Sequence, residues 1–173
     1  MKKVILTVLV VGLFVAAVAV PPAWSQGKKL NFSLNAGVQT DIFNGTSFDK
    51  ALFTVDARVG FLMGRNFEIS PEVMAVFNYD YFALGLNSWL LNPGVMLNYK
   101  AGAFFVGAGA VLPIMFWSGA GDSGSDSGRV SPKINIGYIY GNFQVTAYLT
   151  AWTGEGIDFL DVNWAGITLG YRF

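Results

Sequence analysis

FTVDARVGFLMGRNFEISPEVMAVFNY, residues 53–79, decides how this chain folds. Phe53, Val55, Ala57, Val59, Phe61 and Met63 alternate with Thr54, Asp56, Arg58 and Gly60. After Gly64-Arg65-Asn66 the alternation resumes. Phe67, Ile69, Val73, Ala75, Phe77 and Tyr79 now oppose Glu68, Ser70, Glu72, Asn78 and Asp80. A repeat of two is the signature of an extended strand, because successive side chains point to opposite faces. The three residues between the runs are short enough for a hairpin turn. Counting outward from Arg65 places Arg58 opposite Glu72 in antiparallel register. The apolar row has aromatics beside the turn and Val, Ala and Ile further along it.

The same grammar recurs on both sides, giving eight alternating segments in all. Leu30, Phe32, Leu34, Ala36 and Val38 oppose Asn31, Ser33, Asn35, Gly37 and Gln39. Trp89, Leu91, Val95, Leu97 and Tyr99 oppose Ser88, Asn92, Gly94 and Asn98. Residues 103–116, AFFVGAGAVLPIMF, are apolar throughout, so their phase rests on Phe104, Val106, Ala108 and Ala110 forming the outer row. Ile134, Ile136, Tyr138 and Tyr140 oppose Lys133, Asn135 and Gly137. Phe143, Val145, Ala147 and Leu149 oppose Gln144, Thr146, Tyr148 and Thr150. The last segment sets Ala165, Ile167, Leu169, Tyr171 and Phe173 against Trp164, Gly166, Thr168, Gly170 and Arg172.

Connections alternate in length. Short turns are predicted at 64–66, 100–102 and 141–142, and long polar connections at 40–51, 80–87, 117–131 and 153–160. Even strand number with short turns at one end and long loops at the other describes an outer-membrane barrel. At the short-turn ends the apolar rows carry Phe61, Phe67, Tyr99, Phe104, Tyr140, Phe143, Tyr171 and Phe173. Aromatic side chains favour the membrane interface, so these form a girdle below an aliphatic band. Pro71 and Pro93 fall inside strands, where bulges are expected to accommodate them. The competing fold is a soluble barrel of lipocalin type with the apolar rows inside. Its water-facing rows would then be rich in Gly, Asn, Ser and Thr but poor in charge.

Composition narrows the function. Among 173 residues, charged residues are 13% and aromatics 16%, which excludes disorder. The chain holds no Cys and no His. A disulfide framework and a thiol nucleophile are therefore excluded, and the usual imidazole base is missing. The N-terminus, MKKVILTVLVVGLFVAAVAVPPAWSQ, has Lys2 and Lys3 before an apolar stretch over 4–20. Pro21-Pro22 and Ala23-Trp24-Ser25 follow. This is the grammar of a cleavable signal peptide over 1–25, leaving a barrel domain over 26–173. The alternative is an uncleaved anchor. Cleavage leaves nine basic against eleven acidic residues, and no basic patch suited to nucleic acid.

The signal-like leader, eight alternating strands and terminal Tyr171-x-Phe173 resemble small outer-membrane β-barrels of the OmpA, OmpX and OmpW kind. The resemblance covers 26–173 and is one of architecture. It implies an all-β, eight-stranded, antiparallel up-and-down transmembrane barrel located in the cell outer membrane, embedded in its lipid and monomeric. It also implies that Tyr171 and Phe173 form the signal read by the barrel-assembly machinery. Thr168 stands where that signal usually has Gly.

Several small barrels of this kind are enzymes that use His as general base, so its absence points to a non-enzymatic protein. Ser123, Ser125 and Ser127 lie in GDSGSDSG (121–128), the composition of a flexible loop. Asp122 and Asp126 match no ordered calcium loop. No cofactor or metal is expected. Asp56, Arg58, Glu72 and Lys133 point inward, where charges must pair because isolated burial is costly. They are expected to form a lumen network, either structural or a salt-bridge gate. Tyr148, Trp152 and Trp164 would line a hydrophobic route if the lumen were open. The primary expectation is a structural or surface-interaction barrel displaying four loops. The alternative is a narrow pore or an OmpW-like channel for small hydrophobic molecules. The ligand or surface partner is unspecified.

Overall fold

The computed structural model describes residues 30–41, 51–77, 87–119, 122–151 and 163–173. The predicted signal peptide lies outside these residues. Ten strands are present: β1 (Leu30–Asp41), β2 (Leu52–Met63), β3 (Phe67–Phe77), β4 (Asn87–Ala101), β5 (Phe104–Val111), β6 (Ile114–Gly119), β7 (Asp122–Ser127), β8 (Ser131–Tyr140), β9 (Phe143–Ala151) and β10 (Asn163–Arg172). All pairings are antiparallel.

Eight of these strands close a barrel in the order β1-β2-β3-β4-β5-β8-β9-β10 and back to β1. The seam is β1 against β10, running from Ser33 opposite Arg172 to Asp41 opposite Trp164. It is sealed at its end by Phe173 N–H, which donates to Phe32 O at 2.9 Å. Closure matters because hydrocarbon offers no hydrogen-bond partner to a free strand edge.

The two side-chain rows separate cleanly. β2 buries Thr54, Asp56 and Arg58, and exposes Phe53 and Phe61; β9 buries Gln144, Thr146, Tyr148 and Thr150, and exposes the residues between them. The uncertain phase of β5 is settled: Phe105, Gly107 and Val111 are buried, while Phe104, Val106 and Ala108 face out. The outer wall carries Val95, Leu97, Val106, Ile134, Ile136, Val145, Leu149, Ile167 and Leu169. A water-soluble barrel would place this row inside, so the lipocalin alternative is discarded.

The eight girdle aromatics all stand on the outer surface. Neighbours touch edge to face: Phe67 and Tyr99 at 5.3 Å between ring centres, and Phe143 and Tyr171 at 5.4 Å. Turn asparagines hold two of the phenols. Asn66 Nδ2 donates to Tyr99 OH at 3.3 Å and Asn142 Nδ2 to Tyr171 OH at 3.0 Å. Each short turn places a glycine at positive φ: Gly64 at 69°, Gly102 at 64° and Gly141 at 60°. A side chain is disfavoured there.

Three expectations need correction. The second turn is Gly102–Ala103, not 100–102, so Lys100 belongs to β4 and its side chain joins the inward row. The connection 117–131 is not an irregular loop. Residues 114–119 and 122–127 form the β6–β7 hairpin, which continues the barrel wall beyond the ends of β5 and β8. GDSGSDSG is therefore largely strand.

Finally, the prolines interrupt ladders without a register shift. β2 and β3 pair at Arg58–Glu72, skip two positions beside Pro71, and resume at Phe61–Ile69. β5 and β6 are separated at Leu112–Pro113, opposite Pro93, with the same register against β4 on both sides. Proline lacks the N–H that a ladder needs. The extra residue lies elsewhere. Gly128 N–H donates to Pro113 O while Ser131 pairs with Val111, so three steps on one strand span two on its neighbour.

Candidate functional site

The lumen is layered. On the long-loop side Leu52, Met74, Val76, Leu90, Tyr148 and Trp164 pack into one apolar cluster, with Met115 against it. These residues come from β2, β3, β4, β9 and β10, and β6 supplies Met115. They occupy the bore at this level, and an eight-stranded barrel has room for little beyond its own side chains. Trp152 lies outside the described residues, so of the three residues expected to line a hydrophobic route, Tyr148 and Trp164 sit within this plug.

Below the plug lie Asp56, Arg58, Glu72 and Lys133, all buried. Arg58 Nε stands 3.1 Å from Asp56 Oδ1 and 3.0 Å from Glu72 Oε2. Lys133 Nζ, reaching across from β8, pairs with Glu72 Oε1. The same ammonium lies 4.7 Å from the centre of the Tyr148 ring, a cation–π distance. Asn35 Nδ2 donates to Asp56 Oδ1 at 2.5 Å, and Tyr148 OH donates to Gln39 Oε1 at 2.9 Å. Two cations face two carboxylates, so the layer is neutral. Its hydrogen bonds offset part of the desolvation cost of burying ions.

A second charged layer closes the short-turn mouth. Lys100 Nζ pairs with Glu68 Oε2, and Arg172 Nη2 stands 3.4 Å from the same oxygen. Asn31 Nδ2 donates to that oxygen at 3.0 Å. Ser70 Oγ donates to Glu68 Oε1 at 3.0 Å, and Asn98 Nδ2 donates to Ser70 Oγ at 3.1 Å. A cavity of about 20 Å³ lies between the two charged layers, lined by Arg58, Glu68, Lys100, Gln144 and Arg172 among others. This volume holds roughly one water molecule.

Sequence reasoning did not assemble this mouth cluster. The alternation puts Glu68 and Arg172 on inward rows, but β3 and β4 are joined by a long connection that sets no register. Arg172 meets Glu68 only through barrel closure. The inward phase of Lys100, two residues after Asn98, was the one available signal.

The long-loop rim carries the β6–β7 hairpin. Trp89 and Phe116 stack on its outer side with ring centres 4.4 Å apart. Trp117 lies over Gly124, where any side chain would strike the indole. Ser123, Ser125 and Asp126 are exposed, and Asp126 Oδ1 accepts the Ser127 N–H at 2.8 Å. Among the described residues no group of three potential acidic, Cys or His ligands is placed to hold a metal ion. At the opposite pole, Tyr171 and Phe173 form an exposed aromatic pair 5.0 Å apart, with Phe32 5.5 Å from Phe173.

No protein-family model and no curated protein sequence matches the chain. Solved structures do. The chain is similar to Ail, the attachment invasion locus protein of Yersinia pestis, solved with the heparin analogue sucrose octasulfate. That match has a TM-score of 0.54 at 15% identity and covers 83% of this chain and 97% of that one. It is also similar to Neisserial surface protein A, with a TM-score of 0.58 at 12% identity over 84% and 96% of the two chains. The N-terminal β-barrel domain of Pseudomonas aeruginosa OprF gives 0.52 at 14% identity over 86% and 100%. At such identities the likeness is one of fold. Together with the apolar outer wall and aromatic girdle, it shows that this chain has the fold of the small eight-stranded outer-membrane β-barrels.

Proposed function

We propose that the protein is a non-enzymatic, sealed outer-membrane barrel whose role is structural or surface-interacting. One observation carries this reading: an apolar cluster occupies the loop-side part of the bore and two layers of ion-paired side chains occupy the part below it, with a cavity of only about 20 Å³ between those layers. What is offered to a partner is the loop-side surface, whose described residues include the β6–β7 hairpin. The loop-side sequence carries Asp41, Asp49, Asp80, Asp122, Asp126, Glu155, Asp158 and Asp161 against Lys50 and Arg129. Such a rim favours cationic partners over polyanions. The sulfated ligand of Ail is therefore not the ligand class we assign here. The missing His supports a non-catalytic role, since no imidazole can act as general base.

The polar lower half of the lumen favours one second reading, a narrow pore. Planar-bilayer recording of refolded protein separates the two. A sealed scaffold is silent, both as the parent and with Arg58 and Glu72 replaced together by Ser. Unit currents in the parent, rising in the variant, establish the pore. Turnover of lipid substrates by the same preparation would overturn the non-enzymatic reading.

A further inference from the structure

From mid-lumen to the short-turn mouth, seven buried or half-buried charged side chains face one another. Four are cations (Arg58, Lys100, Lys133 and Arg172) and three are carboxylates (Asp56, Glu68 and Glu72). The mid-lumen four neutralise each other through direct contacts. The mouth does not balance: Lys100 and Arg172 converge on one oxygen of Glu68, and the Arg172 contact is long at 3.4 Å. Among the described side chains one positive charge is left over in a partly enclosed mouth, where an uncompensated ion is less well solvated than in open water. The cavity of about 20 Å³ opens at this place and has the size of one water.

We propose that the short-turn mouth of the lumen is a binding site for a small monovalent anion of chloride's size, held by Lys100 and Arg172 beside Glu68. The guanidinium of Arg172 carries five donors, of which one makes the long contact to Glu68, so it can turn others toward an anion. The anion completes the charge balance that the described carboxylates leave open. It gives the barrel a halide-dependent stability. A merely structural Glu68–Lys100–Arg172 cluster would show only the general screening that any salt produces.

Chloride NMR line broadening on the detergent-refolded full chain tests this, with folding of each variant verified by unboiled gel migration. The parent is expected to give saturable broadening that bromide competes away. Arg172→Gln removes the surplus charge and should return the linewidth to the buffer value. Lys100→Met should do the same, and serves if Arg172→Gln fails to fold. Glu68→Gln doubles the surplus and should reach saturation at lower chloride. Unsaturable broadening in the parent, or saturable broadening unchanged in Arg172→Gln and Lys100→Met, overturns the site.

Discussion

Glu72 is the residue that ties the lumen together. One carboxylate receives Arg58 from the neighbouring strand and Lys133 from across the bore, both buried. Removing it leaves Arg58 with Asp56 alone and strands the buried Lys133 ammonium without its carboxylate. Glu72→Ala should lower the urea stability of the refolded barrel by about 3–5 kcal/mol, the usual cost of breaking a buried pair from one side. Replacing Glu72 and Lys133 together by Gln should cost much less than the two single changes summed, because neither charge is then left alone. Tryptophan fluorescence in a urea series measures both. The Arg58–Glu72 pairing was legible because three turn residues separate two regular strands, and counting from the turn fixes what lies opposite. Lys133 could be placed inward but not assigned a partner, since strand phase says nothing about which residue faces it across a barrel.

The elements divide by how they are specified. β2, β3, β9 and β10 declare themselves by alternation, because one face meets lipid and the other a polar bore. β7 does not: DSGSDS has no apolar row. It is a strand because β6 supplies the hydrogen-bonding edge and the Trp117 indole packs against Gly124, where a side chain would not fit. Local composition pointed to a loop and the pairing overrode it. β5 and β8 pair with each other and with their other neighbours without this hairpin. Replacing residues 117–126 by a short Gly-Ser turn should therefore leave the heat-modifiable gel migration intact. The outer rows make the opposite prediction. Ala147 lies four residues above the girdle, inside the aliphatic band, so Ala147→Arg should cost about 2–4 kcal/mol in bilayers. Tyr140→Arg at the interface should cost no more than about 1 kcal/mol. Equal costs at both depths would contradict the membrane placement. At the seam, deleting residues 171–173 removes the Phe173–Phe32 hydrogen bond and the last pairs of β10, and should slow assembly of the barrel in liposomes.

At the scale of the whole molecule, one arrangement accounts for the composition. More than half the residues are apolar, at 53%, yet no described helix is long and apolar enough to cross a membrane. Among the described residues the apolar rows of the strands lie on the outside of a closed wall, while Asn, Gln, Thr and paired ions share the inside with the apolar cluster. The account stands on that inversion, and spin labels read it directly. Cysteines placed one at a time at Ala57 and Ala147 and labelled in liposomes should be quenched strongly by dissolved oxygen and weakly by a water-soluble nickel chelate. A label at Arg65, in the exposed turn, should show the reverse. If the labels at Ala57 and Ala147 meet the chelate as readily as Arg65 does and are shielded from oxygen, the apolar rows do not face lipid and the barrel does not span a membrane.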